Sequence, residues 1–136
     1  DVRPDIADED GRTPLIYGAL TGSVDIVAML IEAKAQIDQK DKFGLTALAA
    51  AAAGGEYGVV EILLEAGAAA NAQNKYGQSP LMLAAKSGLP DVVQLLLDSG
   101  ADATMLDYTG RGALSWSDEG RNSTVRRILE KAGARE

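Results

Sequence analysis

The 136-residue chain contains no cysteine and no histidine. That double absence excludes disulfides, thiol redox chemistry, zinc sites built on Cys or His, and Ser/His/Asp or Cys/His nucleophiles. Aromatics are scarce, with one Phe, one Trp and four Tyr, so the position of each carries information. No run approaches the ~18 continuous apolar residues of a membrane span, and no charged-then-apolar leader opens the chain. Basic residues are in the minority, 13 against 20 acidic ones, for a net charge of −7. Such a balance argues against nonspecific nucleic-acid binding, which needs cations to displace counterions from phosphates. Glycine-rich phosphate loops, nucleophile elbows and metal-ligand spacings are also missing. The acidic stretch DIADEDG fails as a calcium loop, because the first ligand position falls on Ile6 and no glutamate stands six residues after Gly11. Adjacent carboxylates such as Asp118 and Glu119 point in different directions on a helix and imply no pocket. The expectation is a chain with no catalytic residue, cofactor or metal.

What is present is 46% apolar and 24% charged, the balance of one modest globular domain. A first residue other than Met and the lack of Cys tilt the expected location, cytoplasmic or exported, toward export. Charge is unevenly spread. Residues 1–7, 8–40, 41–73, 74–106 and 107–136 carry −1, −3, −3, −1 and +1, so the acidic end comes first.

Those boundaries come from an internal period of 33 residues. Asp8, Asp41, Asn74 and Asp107 share a column, as do Gly11, Gly44, Gly77 and Gly110. Thr13, Thr46, Ser79 and Gly112 follow, then Leu15, Leu48, Leu81 and Leu114, and later Leu30, Leu63, Leu96 and Leu129. Within a unit, Asp or Asn three residues before Gly marks a turn. Thr13-Pro14 and Ser79-Pro80 supply a capping hydroxyl and a proline at the first helical position. Helices are predicted to end near Thr21-Gly22, Gly54-Gly55 and Ser87-Gly88. A second amphipathic helix follows, closed by Gly67, Gly100 or Gly133. Lys34 stands in that glycine column, and the first unit is expected to relax around it.

The pattern D-x-x-G-x-T-P-L-x-x-A-A, followed by V-V-x-x-L-L-x-x-G-A, is clearest in NKYGQSPLMLAAKSGLPDVVQLLLDSGADA. In this the chain resembles the ankyrin repeat family over essentially its whole length. The resemblance implies an all-α solenoid of paired antiparallel helices with β-turn or hairpin tips. Residues 1–7 would be the tail of a truncated or capping unit, 8–40, 41–73 and 74–106 three repeats, and 107–136 a carboxy-terminal capping repeat. Ala49 to Ala53 then lie on a short inner helix, where close approach admits only small side chains. In the last unit Ser115, Ser117, Asp118 and Glu119 replace small apolar residues, while Arg126 and Glu130 replace Val93 and Leu97 of the unit before. A polar outer face is what a terminal repeat needs. The first unit stays apolar through Ile16, Tyr17, Leu20, Val24, Ile26, Val27 and Met29; the expectation is that residues 1–7 shield it, the alternative that further sequence or a partner covers it.

Family members bind partners through tips and inner helices. By column this carries over to Glu9, Asp10 and Arg12; Lys42, Phe43 and Leu45; Lys75, Tyr76 and Gln78; Tyr108, Thr109 and Arg111; and Leu20, Thr21, Lys86, Ser87 and Glu119. Phe43, Tyr76 and Tyr108 sit at tip positions, where side chains project outward. Aromatic and Arg anchors commonly dominate binding energy. Trp116 and Tyr17 share an inner-helix column and are expected to pack, and Tyr57 to cover the convex side. The implied function is binding of another protein by a monomer without nucleic-acid or membrane contact. A sharper expectation is occlusion of an enzyme's cleft ringed by basic residues. Two alternatives stay open: a scaffold that self-associates through the first unit, and an enzyme working by carboxylates alone.

Overall fold

A computed structural model describes residues 4–134. Among these, eight α-helices follow one another: α1 Pro14–Thr21, α2 Val24–Glu32, α3 Ala47–Gly54, α4 Tyr57–Glu65, α5 Pro80–Ser87, α6 Pro90–Asp98, α7 Ala113–Gly120 and α8 Ser123–Lys131. They form four pairs, with α1, α3, α5 and α7 stacked in one row and α2, α4, α6 and α8 in another.

Each helix has eight or nine residues, too few to persist alone in water. Caps and packing hold them. Thr13, Thr46 and Ser79 accept hydrogen bonds from the backbone N–H of Ile16, Ala49 and Met82 at 3.2, 3.2 and 3.3 Å. Gly112, in the same column, has no side chain to cap α7. At the other end of the inner helices Gly22, Gly55 and Gly88 take left-handed conformations, and Arg121 does the same at φ 53°.

Close approach explains the alanine run. α3 is flanked by α1 on one side and α5 on the other, and Ala51 and Ala52 have no exposed surface. Larger side chains would push neighbouring inner helices apart. Both rows supply the core: Leu15, Ile16, Leu48, Leu81 and Met82 of the inner helices are fully buried, and in the outer row so are Leu63, Leu96 and Leu129 and Val27, Val60 and Val93. Each such side chain contributes about 1.5–3 kcal/mol through removal from water. Inner helices that pack more closely than outer ones bow the stack, which puts α1, α3, α5, α7 and the tips on the concave side.

Several expectations need correction. Lys34 keeps the left-handed angle of its glycine column, at φ 70°, so the first pair does not relax around it. Ser117 is not part of a polar outer face: it is 1% exposed and its hydroxyl donates to the Leu114 carbonyl at 2.7 Å. Its column, Gly18, Ala51 and Ala84, is one of small buried residues in every pair. Shielding of the first pair is not achieved by residues 4–7, since Ile26 and Met29 stay 49% and 67% exposed and Ile6 itself 59%. Residues 1–3 of that expected shield lie outside the described residues. Tyr17 and Trp116 separate, with Trp116 buried and Tyr17 exposed. Tyr57 opens α4 on the convex side, beside a shallow groove of about 310 Å³ bounded by Asp91, Gln94, Leu95 and Asp98.

Candidate functional site: the tip row and the concave face

The four tips are built by one device. Oδ1 of the column Asp or Asn accepts two backbone N–H groups, from residues two and four further on. For Asp41 these are Phe43 and Leu45 at 2.8 and 2.9 Å; for Asn74, Tyr76 and Gln78 at 2.9 and 3.0 Å; for Asp107, Thr109 and Arg111 at 2.9 and 3.0 Å. Asp8 holds Asp10 and Arg12 in the same way, both at 2.9 Å. Successive tips are then stapled backbone to backbone. Lys42 N–H donates to Asp10 O at 2.9 Å, Lys75 N–H to Phe43 O at 3.0 Å and Tyr108 N–H to Tyr76 O at 3.1 Å. Gly77 is required here, because it adopts φ 80° and a Cβ would stand 2.6 Å from the Tyr108 backbone nitrogen. The tips are therefore a rigid row.

The second carboxylate oxygen of the column is where the tips differ. Asp107 Oδ2 accepts from the Trp116 indole N–H at 3.0 Å, and Asp8 Oδ2 from the Tyr17 hydroxyl, each partner lying nine residues on. At the second tip the corresponding residue is Ala50, which has no donor. Asp41 Oδ2 is buried and faces Arg12 Nε at 3.7 Å, an ion pair too long to hydrogen-bond either atom. Asn74 uses its amide to reach Gln78 Oε1 at 2.9 Å.

Those contacts move the acid groups. The Tyr17 hydroxyl, followed by the Arg12 N–H, holds the Asp8 carboxyl below its ordinary value of 3.8, and the same hydrogen bond raises the Tyr17 phenol. For Asp107, burial pushes the pKa up, but hydrogen bonds from Thr109, Arg111 and Trp116 outweigh it and leave a net lowering from 3.8.

Of the expected tip residues, Glu9, Lys42, Phe43, Lys75, Tyr76, Tyr108 and Thr109 are exposed, and Asp10, Arg12, Leu45, Gln78 and Arg111 half-buried. Phe43, Tyr76 and Tyr108 are 38%, 55% and 69% exposed. Phe43 is the least free of the three. The ammonium groups of Lys42 and Lys75 lie 5.1 and 4.7 Å from its ring centre, and Lys42 also pairs with Asp10 at 2.6 Å. Lys75 is shared with Tyr76 at 5.2 Å. On the inner helices Leu20, Thr21, Lys86, Ser87 and Glu119 are exposed, yet two hydroxyls are engaged: Thr21 donates to Gly18 O at 3.1 Å and Ser87 to Ala53 O at 2.8 Å. Glu119 joins Arg111 and, at 3.9 Å, Lys86. Both cations lie over Trp116, at 4.6 Å for Arg111 and 5.4 Å for Lys86.

Tyr17 is the residue that sequence reasoning missed. It is 43% exposed on the concave side, with the Arg12 guanidinium 6.0 Å from its ring. The signal was the spacing of nine between Asp8 and Tyr17, repeated between Asp107 and Trp116. No cluster of three or more metal-ligating side chains occurs among the described residues, and none of their helices is long and apolar enough to cross a membrane.

A model of ankyrin repeats in three copies matches residues 33–107 and again 59–135, and a single ankyrin repeat model matches 10–42. The chain belongs to the ankyrin repeat family. Ankyrin repeats are generally protein–protein interaction modules. Compared with curated proteins, the chain finds no match.

Proposed function

We propose that this chain binds another protein through its tip row and concave face, with Phe43, Tyr76 and Tyr108 as anchors. The observation that carries the reading is the row of exposed rings on tips locked by backbone hydrogen bonds, which cost little entropy to present to a partner. Tyr17 and the Arg111, Lys86 and Glu119 cluster extend the same face at its two ends. Under this reading the partner is an enzyme whose cleft is ringed by basic residues. Support for that finer step is the acidic first half of the chain, where residues 1–7, 8–40 and 41–73 carry −1, −3 and −3 and the first tip presents Asp8, Glu9 and Asp10. Complementary charge of this kind speeds encounter more than it tightens the complex. The same proposal takes α7–α8 as the capping end of the stack, supported by Arg126, Asp118 and Glu130 on its outer surface.

The test is affinity capture with the wild type and with the Phe43→Ala/Tyr76→Ala double variant, after circular dichroism has established equal folding. Loss of about 2–4 kcal/mol of binding energy for a captured protein is expected. Equal capture by both would sink the tip-row reading. Turnover by the captured protein, measured with and without this chain, tests the cleft-occlusion step: unchanged rates would remove it.

A further inference from the structure

At the concave side of the last pair, two cations and one carboxylate meet on a framework built by a single buried residue. Asp107 Oδ1 accepts the Arg111 backbone N–H and Asp107 Oδ2 the Trp116 indole N–H, both at 3.0 Å. One side chain therefore fixes both the main chain that carries Arg111 and the ring beneath its guanidinium. Trp116 is 5% exposed, with the Arg111 guanidinium 4.6 Å and the Lys86 ammonium 5.4 Å from its ring. Lys86 belongs to α5 and Arg111 to the last tip, so two successive units hold their cations over one indole. Both converge on Glu119 of α7, Arg111 on Oε1 and Lys86 at 3.9 Å from Oε2. At that distance the ammonium makes no hydrogen bond to the carboxylate.

The first pair has related parts in the same columns and uses them otherwise. Arg12 stands in the column of Arg111 and Tyr17 in that of Trp116, yet Arg12 turns to Asp41 of the next tip, and Leu20 stands where Glu119 does. The tips between carry Leu45 and Gln78 in the arginine column. Among the described tips, a guanidinium paired with an inner-helix carboxylate thus belongs to the last one. Glu119 is also held loosely: the Arg111, Lys86 and Glu119 side chains are 38%, 54% and 40% exposed. Ion pairs at such exposure add little net stability, so exchanging one carboxylate for another leaves the fold nearly unaffected.

We propose that Arg111 and Lys86 form a carboxylate-binding site, which Glu119 fills in the free chain and which an Asp or Glu side chain of a protein partner takes over. This rests on the reading above that the concave face meets a protein, and it adds the chemistry of one contact. The planar fork of arginine suits a carboxylate, as the present occupant shows. A nucleic-acid backbone would instead meet a chain of net charge −7.

The probe is a tetraglutamate peptide blocked at both ends, titrated at fixed ionic strength while the fluorescence of Trp116, the single tryptophan, is followed. Glu119→Gln removes the internal competitor and is expected to bind the peptide about fivefold tighter than wild type, the factor that one exposed ion pair is worth. Adding Arg111→Gln or Lys86→Gln to Glu119→Gln is expected to cancel that gain, with circular dichroism unchanged. Equal affinity of wild type and Glu119→Gln overturns the proposal, as does a gain that survives loss of either cation. So does tighter binding by Glu119→Gln of inorganic phosphate, or of tetra-alanine with a free carboxy terminus, than of the blocked peptide. The ligand would then be a phosphate group or a chain end. The Phe43→Ala/Tyr76→Ala variant keeps this site and is expected to bind the peptide as wild type does, so the tip-row reading and this inference fail separately.

Discussion

The two ends of the stack present opposite surfaces, made from complementary columns. At the amino-terminal end the outward face is Ile26, Met29 and half-buried Leu30; at the carboxy-terminal end it is Asp118, Arg126 and Glu130. A helix in a one-dimensional stack has two faces to satisfy, and an end unit has a neighbour for only one. Here the outward surface is charged at one end of the described stack and apolar at the other. The comparison teaches that exposure of a column, rather than its average hydrophobicity, reports which neighbour a unit is built to meet.

The sharpest way to break that comparison is to exchange end and interior chemistry. Val60→Arg places in the second pair the residue type that α8 carries at Arg126. Val60 has no exposed surface, so the guanidinium would be enclosed without a partner, and a destabilisation of about 4 kcal/mol or more is expected. Met29→Lys makes the same kind of change, apolar to cationic, at the open end, and its expected effect is within about 0.5 kcal/mol. Urea unfolding of both variants reads the difference directly. If Val60→Arg proves as mild as Met29→Lys, the interior and the end do not differ as described.

A smaller effect separates the last tip from the third. Asp107→Asn retains an Oδ1 for the Thr109 and Arg111 N–H groups, as Asn74 does for its own tip, but turns an amide N–H₂ toward the Trp116 indole N–H. Two donors then face each other in a buried place, at a cost of about 1–3 kcal/mol at neutral pH. The pH dependence follows from the lowered carboxyl. A group with a folded pKa below its unfolded value of 3.8 contributes stability that is fully present above that value and is lost as pH falls through the folded pKa. Wild type should therefore lose stability below about pH 4 more steeply than Asp107→Asn. Parallel acid limbs in the two unfolding series would remove Asp107 from the account. Trp116 fluorescence is the natural readout.

Much of this was legible in the sequence, for reasons that differ by element. Helices, tips and the inner position of Ala49 to Ala53 follow from a 33-residue register, because each unit repeats the same caps and the same apolar spacing. Outward placement of Phe43, Tyr76 and Tyr108 followed from their positions between the column Asp or Asn and the glycine. Side-chain pairing across a unit was not legible. Tyr17 and Trp116 share a column, yet one is exposed and the other buried, since Trp116 is covered by the pair before it while Tyr17 has no such neighbour. The fate of Ser117 was hidden similarly: a hydroxyl can satisfy itself on its own helix, at the Leu114 carbonyl, and remain in a small-residue column. Which lysines lie over Phe43 depends on the spacing between tips, and a column alignment holds no distances.

The smallest expected effect concerns backbone strain at the two ends. The non-glycine residues with positive φ among those described are Lys34 in the first pair and Arg121 in the last, at 70° and 53°. Interior units carry Gly67 and Gly100 in the Lys34 column, at φ 93° and 98°, and Gly55 and Gly88 in the Arg121 column, at 72° and 69°. A side chain in this region crowds the carbonyl and costs about 1 kcal/mol relative to glycine. Against this, a cation just beyond a helix carboxyl terminus interacts favourably with the dipole, by about 0.3–1 kcal/mol at an exposed site. Glycine also loses more conformational entropy on folding. Lys34→Gly is therefore expected to stabilise by no more than about 0.5 kcal/mol at low salt, and by more at 1 M salt, where the dipole interaction is screened. Denaturation midpoints of Lys34→Gly and wild type at the two salt concentrations test the balance. A gain that shrinks with added salt would show that strain is not what sets Lys34 apart from the interior glycines.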